Sequence, residues 1–427
     1  MMYGLIGKPL GHSYSKVIHE MLGKYEYNLN ELEPAQMKEL IKSRNFKGLN
    51  VTIPYKKDVI PLCDRVTKLA GEIGAVNTLY FKDGQLWGHN TDYEGFLYAS
   101  KRAGIQYCNK VVAILGTGGA SLSALAAVKH EGCSEVYRVS RSSSDADCGI
   151  INYETLYSMA GHIQVIVNTT PVGTYPDNLH RLINLDEFSK LESVMDVIYN
   201  PFKTLLVQDA QARKLHVSNG LPMLVAQATA AAGYFLNAPG SFDKMNEKII
   251  EALEEKLRNI VLIGMPGSGK SKVAKALSNI TGKPFFDMDK EIENREGITI
   301  PEIFEKQGEK AFRDMETQVA QDLGKERGII IATGGGSILR PQNVAALKQN
   351  GLVIHLVRPI DKLPTNGRPL SKDIDALRQM EKIRLPLYRR AADITLNNSR
   401  YLSRRKLEQY LLDKLPITKE KSYDNDK

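Results

Sequence analysis

Two glycine-rich segments of different kinds could each bind a phosphate group. They read VVAILGTGGAS at 111–121 and NIVLIGMPGSGKS at 259–271. Each follows an apolar, strand-like run and precedes a helix-like one, an arrangement that aims backbone N–H groups at a phosphate. Two nucleotide sites of unlike chemistry predict two enzymatic activities in one chain, so the question becomes which reactions share a metabolite.

The first segment is typical of a dinucleotide site. Its glycines permit a tight turn and a close approach of a pyrophosphate to the backbone. Where an NAD enzyme carries Asp or Glu for the ribose 2′-hydroxyl, about 20 residues further on, this chain has a guanidinium between two hydroxyls. That combination suits a 2′-phosphate, so we expect NADP(H), bound by Gly116, Gly118, Gly119, Ala120, Ser140, Arg141 and Ser142.

The second segment satisfies the pattern GxxxxGK[ST] between a strand and a helix. Backbone N–H groups of such a loop cradle phosphates, the lysine reaches the β and γ oxygens, and the hydroxyl ligates magnesium. The sequence therefore predicts an ATP site with Mg²⁺, formed by Gly264, Gly267, Ser268, Gly269, Lys270 and Ser271.

The elements that must position these loops are strands alternating with helices. Apolar runs such as VVAILG, VIVNTT, IVLIG and LVIHLV recur between helical patterns. This alternation indicates an α/β protein with parallel sheets and crossover helices. From 243 to 257 the apolar spacing predicts an amphipathic helix, with one face formed by Met245, Ile249, Ala252, Leu253 and Leu257.

Composition bounds the remaining possibilities. A length of 427 residues favours about three domains. A hydrophobic content of 42% and a charged content of 25% fit a soluble protein. No signal peptide or membrane span of about 20 apolar residues is visible, so we expect a cytoplasmic protein without a membrane partner. The formal charge of +8 is spread along the chain, which argues for small anionic ligands and against nucleic acid.

Seven motifs in the first half resemble the shikimate dehydrogenase family. They occur in family order over about 1–256: GKPLGHSYSK, NVTIPYKK, GAVNTL, GHNTDYEG, VNTTPVG, DVIYNP and NGLPMLVAQA. The resemblance implies that Lys56 and Asp92 form the catalytic pair. A Lys ammonium held by a carboxylate can stabilise the alkoxide that develops when a ketone is reduced and can supply its proton.

The same resemblance implies two groups of binding residues. One group would hold the substrate, with serines on its carboxylate and the others on ring hydroxyls or facing it: Ser13, Ser15, Asn50, Thr52, Asn77, Tyr199 and Gln227. The other would lie at the nicotinamide end of the cofactor: Asn168, Thr169, Gly220 and Met223.

The second half resembles shikimate kinase. Its motifs span about 259–412 and follow the P-loop in the order FFDMDKEIE, GEKAFRDMET, IATGGGSIL, NGRPL and RLPLYRRAA. The resemblance implies that Asp289 is the base for the reacting hydroxyl and that Asp287 joins Ser271 at magnesium. Arg368 would be a lid residue that neutralises the transferring phosphate.

The substrate of the kinase half would be gripped mainly by guanidinium groups, which match a carboxylate bidentately. The resemblance implies Arg313 and Arg384 for this task, with Glu316 orienting Arg313. Three consecutive glycines would let the backbone approach the substrate closely: Gly334, Gly335 and Gly336.

The two implied reactions are consecutive. 3-Dehydroshikimate plus NADPH gives shikimate, and shikimate plus ATP gives shikimate 3-phosphate. We therefore predict a bifunctional enzyme with a two-domain, shikimate-dehydrogenase-like fold, including a Rossmann NADP domain, followed by a P-loop kinase α/β/α domain with a parallel sheet. The expected bounds are 1–95 plus 220–256 for substrate binding, 96–219 for NADP, 257–259 for a short joint, 260–415 for the kinase and 416–427 for a polar tail.

Two alternatives stay open. The dehydrogenase half could act on quinate with NAD, which the guanidinium at 141 and the lack of an acidic residue at 137–142 oppose. The kinase half could be a ligand sensor without catalysis, which the intact P-loop lysine opposes. The sequence does not distinguish a monomer from a homodimer.

Overall fold

The computed structural model describes residues 2–11, 13–141, 149–363, 374–398 and 403–417. Ser142 and Arg368, both predicted site residues, lie outside the described residues, as does most of the predicted tail. The chain divides into two compact units, Met1–Ala252 and Leu253–Lys427. No helix within the described residues is both long and apolar enough to cross a membrane.

The first unit alternates short strands with helices. Its strands are β1 Met2–Gly7, β2 Tyr27–Glu31, β3 Phe46–Val51, β4 Arg65–Val66, β5 Thr78–Lys82, β6 Gln85–His89, β7 Val111–Leu115, β8 Glu135–Val139, β9 Ile150–Ile151, β10 Val165–Asn168, β11 Ser193–Asp196 and β12 His216–Ser218. Its helices are α1 Ser15–Met21, α2 Pro34–Ser43, α3 Lys68–Ile73, α4 Asp92–Arg102, α5 Gly119–His130, α6 Tyr153–Ser158, α7 Leu205–Ala212 and α8 Gly220–Phe235, followed by α9 Asp243–Leu257.

The first sheet of this unit is mixed, although the sequence pattern predicted parallel sheets. Within the described residues its order is β2-β1-β3-β5-β6-β4, and β5 pairs antiparallel with both β3 and β6. The cause is a tight turn between β5 and β6, where Asp83 and Gly84 both have positive φ. Asp-Gly is a strong hairpin signal, so the segment FKDGQLW already indicated that β5 and β6 form an antiparallel hairpin.

The second sheet is parallel throughout its described strands, in the order β12-β11-β10-β7-β8-β9. From β7 the chain adds β8 and β9 on one side and then β10, β11 and β12 on the other. The switch point, where the direction of winding changes, therefore lies between β7 and β10. In open α/β sheets the ligand crevice lies outside the carboxyl ends of the strands at such a point. Buried aliphatic clusters cover both faces of the sheet.

Helix α9 has the predicted bounds, Asp243–Leu257, but a different buried face. Met245 and Ala252 are exposed, whereas Asn246 and Ile250 are buried with Ile249 and Leu253. Asn246 Oδ1 accepts a hydrogen bond from the Thr229 hydroxyl at 2.6 Å. The predicted face was chosen from the spacing of hydrophobic residues alone, so it omitted Asn246, a polar residue that is buried because it pairs with Thr229. The buried face of α9 is therefore rotated from the predicted one.

The second unit contains a P-loop arrangement. Its strands are β13 Asn259–Ile263, β14 Phe285–Asp287, β15 Ile330–Ala332, β16 Gly351–Val357 and β17 Ile394–Asn397. Its helices are α10 Lys270–Thr281, α11 Met288–Glu296, α12 Ile300–Lys325, α13 Pro341–Asn350, α14 Ile374–Ala391 and α15 Arg404–Lys414.

These five described strands form a parallel sheet in the order β14-β15-β13-β16-β17. Apolar clusters again lie on both faces. β13 is central and leads into the P-loop, and β14 and β15 end beside it. The predicted α/β class is confirmed, with the mixed first sheet as its one departure.

Candidate active sites

A cavity of about 430 Å³ in the first unit gathers most of the predicted substrate residues. It lies between the carboxyl ends of the first sheet, the start of α4 and the middle of α8. Predicted residues that line it are Ser13, Ser15, Asn50, Thr52, Lys56, Asn77, Asp92, Tyr199 and Gln227. Segments far apart in the sequence therefore meet at one site.

Lys56 and Asp92 face each other within this cavity. Lys56 Nζ donates to Asp92 Oδ2 at 2.6 Å, and both side chains are largely shielded from solvent. Asp92 begins α4, where the helix dipole favours a carboxylate. Asn77 Nδ2 donates to the other carboxylate oxygen at 2.9 Å. The ammonium is consequently held in one place while hydrogens remain on Nζ for a ligand.

The amide of Asn50 has one permitted orientation. Its Nδ2 lies 3.3 Å from the carbonyl oxygen of Asn77, which can only accept, so Oδ1 must be the atom that faces Tyr27. The Tyr27 hydroxyl donates to that oxygen at 2.8 Å. This oriented amide lines the cavity.

His19 also lines the cavity and was not predicted as a site residue. The ring is fully buried, stacks on Tyr27 at a centroid distance of 3.9 Å and has Nδ1 2.7 Å from the Tyr25 hydroxyl. Burial lowers its pKa to about 3, against an opposing effect of Asn50. The neutral ring therefore supports the aromatic wall behind Asn50. His19 was missed because the sequence predicted polar groups that bind the substrate directly, not aromatic residues packed behind them.

The glycine loop of the first unit lies at the switch point of the parallel sheet. Gly116 adopts a φ of 108°, Gly118 is exposed, and α5 begins at Gly119 and Ala120. A Cβ placed on Gly119 would lie 3.8 Å from Lys56 Cδ. The loop that would bind the pyrophosphate therefore lies close to the side chain of Lys56.

The end of β8 fits a 2′-phosphate. Ser140 is buried and its N–H donates to the Ile151 carbonyl at 2.9 Å, so the strand is held up to that point. Arg141 directly follows, is exposed, and acts electrostatically on Tyr153, lowering the pKa of a phenol that burial raises. An exposed guanidinium directly after this strand suits NADP(H) better than NAD(H).

The residues predicted for the nicotinamide end have different environments. Thr169 is half-buried and its hydroxyl donates to the Leu115 carbonyl at 2.7 Å. The side chain of Asn168 is buried and turned inward toward Asp196. Gly220 is buried at the start of α8, and Met223 is 8% exposed within an apolar cluster.

A second cavity, of about 520 Å³, lies in the second unit. It is lined by the P-loop, the starts of α10 and α11, the middle of α12 and the loop after β15. Predicted residues among its lining are Gly267, Gly269, Lys270, Ser271, Asp287, Asp289, Arg313, Glu316, Gly334, Gly335, Gly336 and Arg384. Gly264 and Ser268 are buried in the loop itself.

The P-loop has the donors that a triphosphate and magnesium require. Lys270 Nζ donates to the carbonyls of Gly264 and Met265 at 2.9 and 3.1 Å. The Ser271 hydroxyl donates to Asp287 Oδ2 at 2.6 Å. Mg²⁺ is usually held by one or two carboxylates, waters and phosphate oxygens, so this pair fits it. No cage of three or more His, Cys, Asp or Glu occurs among the described residues.

Arg313 and Arg384 converge on the glycine run from different helices. Arg313 Nη1 donates to Glu316 Oε2 at 2.8 Å, and Arg384 Nη1 donates to the Gly335 carbonyl at 3.0 Å. A Cβ on Gly336 would lie 2.3 Å from Arg313 Nη1, so this glycine makes room for the guanidinium. Burial lowers the pKa of Arg384. Two closely spaced cations are typical of a carboxylate site.

Asp289 lies beside the first glycine of the same run. A Cβ on Gly334 would fall 2.8 Å from Asp289 Oδ1, and the Asp289 N–H donates to Asp287 Oδ1 at 3.1 Å. The aromatic side chains of Phe304 and Phe312, which line the cavity, were not predicted. Their spacing on α12 is that of a core stripe, and in the structure they also belong to or pack against the apolar core of this unit, on either side of a kink at Gly308.

Models of two protein families match this chain. The model described as "Shikimate dehydrogenase substrate binding domain" matches residues 5–79. The model described as "Shikimate kinase" matches residues 266–415. The first match covers strands and loops of the first cavity, and the second covers the P-loop and the remainder of the second cavity.

Individual proteins are similar to the first part of the chain. A shikimate dehydrogenase (NADP(+)) of Clostridium beijerinckii is 38% identical over 243 residues, which are 54% of this chain and 89% of the relative. A chorismate mutase/shikimate 5-dehydrogenase fusion of Clostridium acetobutylicum is 36% identical with a TM-score of 0.56, over 60% of this chain and 97% of that one. A Thermus thermophilus shikimate 5-dehydrogenase, solved with NADP(H) and shikimate, is 29% identical with a TM-score of 0.53, over 59% and 99%.

Proposed function

Because the chain belongs to the shikimate dehydrogenase family and carries a shikimate kinase domain, we propose that it catalyses two consecutive reactions. The first unit reduces 3-dehydroshikimate to shikimate with NADPH, and the second phosphorylates shikimate with ATP and Mg²⁺. The observation that supports this proposal is that each unit has its own cavity, lined by Lys56 in the first and by Asp289 in the second.

In the dehydrogenase site, bound NADPH supplies the hydride. Lys56 stabilises the negative charge that develops on the ketone oxygen and donates a proton to it. Asp92 Oδ2 accepts a hydrogen bond from the ammonium at 2.6 Å and orients it toward the substrate. Ser13 and Ser15 bind the carboxylate of the substrate, and the surrounding amides and Thr52 bind its ring hydroxyls.

Cofactor choice is assigned to the end of β8. Arg141 pairs with the 2′-phosphate of NADPH, while the glycine loop binds the pyrophosphate at the N-terminus of α5. This assignment is supported by the exposure of Arg141 and by the names of the relatives, which are NADP(+) enzymes.

In the kinase site, bound MgATP supplies the phosphoryl group. Asp289 accepts the proton of the substrate hydroxyl as that oxygen attacks. Arg313 and Arg384 bind the carboxylate, each pre-aligned by its own protein partner. Lys270, whose Nζ contacts the Gly264 and Met265 carbonyls, would pair with phosphate oxygens of bound ATP, and Arg368 would neutralise the charge of the transferring group.

The hydroxyl that the first reaction creates is the one that the second reaction modifies, since reduction of the 3-keto group yields the 3-hydroxyl. One incubation therefore tests both halves. Purified protein is mixed with 3-dehydroshikimate, NADPH, ATP and Mg²⁺, with NADPH followed by absorbance and products by mass spectrometry. Shikimate 3-phosphate with stoichiometric NADPH loss is expected.

Two other outcomes have definite meanings. Shikimate without the phosphate would leave a dehydrogenase fused to a non-catalytic, ligand-sensing half. Absence of NADPH loss, with turnover of quinate and NAD⁺ instead, would replace the first activity by the quinate alternative.

We also assign the predicted domain bounds to these activities, with 1–95 plus 220–256 binding substrate, 96–219 binding NADP and 260–415 acting as kinase. We place the enzyme in the cytoplasm. The free thiols of Cys63, Cys108 and Cys133 are consistent with a reducing compartment.

A further inference from the structure

Asp196 is a buried carboxylate that opens the DVIYNP motif but has no part in the mechanism above. It is the last residue of β11 and is 0% exposed. Its Oδ1 accepts from Asn168 Nδ2 at 3.0 Å and from the Ile198 N–H at 3.1 Å, and its Oδ2 accepts from the Thr204 hydroxyl at 2.6 Å. A buried charge is tolerated only with such partners.

The direction of each bond is determined by the partner. The backbone N–H of Ile198 can only donate. The Thr170 N–H, which also can only donate, lies 3.0 Å from Asn168 Oδ1, so Asn168 must turn Nδ2 toward Asp196. Three donors thus converge on one carboxylate, and these bonds oppose the rise in its pKa, to about 6, that burial causes.

The partners belong to the two loops that face the reacting groups. On one side, Asn168 anchors the loop after β10 through the Thr170 N–H and hydroxyl, at 3.0 and 2.8 Å. That loop begins with Thr169 at the switch point, where the cofactor is assigned. On the other side, the Ile198 N–H immediately precedes Tyr199, which lines the substrate cavity.

The third partner makes the arrangement rigid. Thr204 is the N-cap of α7, and its hydroxyl also accepts from the Val207 N–H at 3.3 Å. Asp196 therefore ties both loops to the start of a helix packed in the core. Residues that touch only one of the two loops cannot set the distance between them.

We propose that Asp196 is a positioning residue for hydride transfer, whose carboxylate holds the cofactor-side loop at 168–173 and the substrate-side loop at 197–201 in fixed register. The inference rests on the proposed dehydrogenase function. Its consequence is that loss of the carboxylate misplaces the nicotinamide relative to the ketone while the carboxylate-binding serines, in the other lobe, are untouched.

The test is steady-state reduction of 3-dehydroshikimate by the full chain, with NADPH and with NADPH deuterated at the transferred position. Asp196→Ala is expected to lower kcat on the order of 10²-fold, as for a misplacement of about 1 Å, with little change in KM for 3-dehydroshikimate. The primary deuterium isotope effect on kcat is expected to rise, because the chemical step becomes limiting. Shikimate phosphorylation by the same preparation is expected to be unchanged.

Three further variants separate positioning from folding. Asp196→Asn can keep its oxygen toward Asn168 and Ile198 and donate to the Thr204 oxygen, so it is expected to recover most of the turnover. Thr204→Val removes one bond and is expected to give an intermediate kcat if Asp196→Ala does not fold. Ser193→Ala, buried at the opposite end of the same strand, is the matched control and is expected to behave as wild type.

The outcomes separate failure of the proposed dehydrogenase function from failure of the positioning role of Asp196. If the wild-type chain does not reduce 3-dehydroshikimate, the proposed function fails. If the wild type is active but folded Asp196→Ala and Thr204→Val keep its kcat and isotope effect, the positioning role is wrong. A lowered melting temperature with unchanged kcat would likewise make Asp196 a purely structural residue.

Discussion

At the scale of single residues, each site depends on a charged side chain whose direction is set by a second one. Lys56 is held by Asp92, and Arg313 is held by Glu316. A long side chain loses rotamer freedom when it is fixed. Because these partners already hold Lys56 and Arg313, less of that entropy is lost when a substrate binds. Preorganised charges of this kind contribute most when they face the atom on which charge develops.

Lys56→Ala is expected to lower reduction of 3-dehydroshikimate by on the order of 10²–10⁴-fold, the usual contribution of a positioned acid. Phosphorylation of shikimate is expected to remain, because its residues belong to the other unit. Spectrophotometric assays of the two half-reactions measure this. The matched control is Lys57→Ala, an exposed neighbour, and an equal loss in that variant would contradict the catalytic role of Lys56.

Arg141→Ala is expected to raise the KM for NADPH by about 10–100-fold, equivalent to a charged hydrogen bond of about 1.5–3 kcal/mol. The KM for NADH is expected to change little, since NADH has no 2′-phosphate. Initial rates with both coenzymes at saturating 3-dehydroshikimate provide the comparison. Equal losses with the two coenzymes would refute the assigned contact.

His19 predicts a pH dependence of stability. Burial lowers its pKa from 6.5 to about 3, so the unfolded chain takes up a proton below pH 6.5 while the folded one stays neutral. The contribution of His19 to the free energy of unfolding is therefore full above pH 6.5. It is lost as the pH falls toward about 3, by about 1.4 kcal/mol per pH unit. His19→Phe keeps an aromatic ring on Tyr27 and is expected to abolish this slope.

The measurement is urea unfolding at pH 7 and pH 5. The chain has a single tryptophan, Trp87 on β6, so its fluorescence reports on the lobe that contains His19. Relative to His19→Phe, the wild type is expected to lose about 2 kcal/mol between these pH values. Parallel pH dependences of the two proteins would show that His19 is not the group responsible.

At the scale of elements, close approaches decide where the polar residues lie. α4 carries Asp92 and α8 carries Gln227, and the two helices touch at Gly95. A Cβ there would lie 2.5 Å from the Met223 carbonyl and 3.1 Å from Gln227 Cβ. The separation of two predicted site residues is therefore set by one residue without a side chain.

Gly95→Ala is expected to separate α4 from α8, destabilising the first unit by about 1–3 kcal/mol and lowering kcat/KM for 3-dehydroshikimate. Thermal unfolding followed at Trp87 and the dehydrogenase assay measure both effects. Gly71→Ala is the control, because this helical glycine on α3 has nothing within 4 Å of an added Cβ and is expected to be neutral or stabilising. Equal behaviour of the two variants would contradict the packing argument.

At the scale of the whole molecule, each of the two described cavities is lined by residues of a single unit. The dehydrogenase cavity is lined by residues between Leu5 and Ala228, and the kinase cavity by residues between Pro266 and Arg384. Neither site borrows a described residue from the other unit. On the proposed function, the fusion therefore joins two cavities that serve consecutive reactions.

A mixture of Lys56→Ala and Asp289→Asn chains is expected to convert 3-dehydroshikimate into shikimate 3-phosphate, although neither variant does so alone. Each chain retains one intact site, and shikimate reaches the other through solution. Product formation after mixing, quantified by mass spectrometry, is the measurement. Glu296→Gln, exposed on the same helix as Asp289, serves as the control for the second variant and is expected to be fully active. A mixture that accumulates only shikimate would show that the two sites must share one chain.

The sequence by itself predicted the α/β class and the two phosphate loops, because glycine turns and strand periodicity are local properties. The family resemblance of its motifs predicted Lys56, Asp92 and Asp289 as site residues, and the structure places them, with the P-loop Lys270, around the two cavities. Only the tertiary structure decided where the antiparallel hairpin joins the first sheet and which face of α9 is buried. It also brought His19 against Tyr27 and placed three hydrogen-bond donors around Asp196. Those features depend on partners that are distant in sequence: Asn246 is buried because Thr229 meets it, and Asp196 is ionised in the core because three donors converge there. Hydrogen-bond satisfaction of buried polar groups is a property of the assembled fold, and no local pattern of residues encodes it.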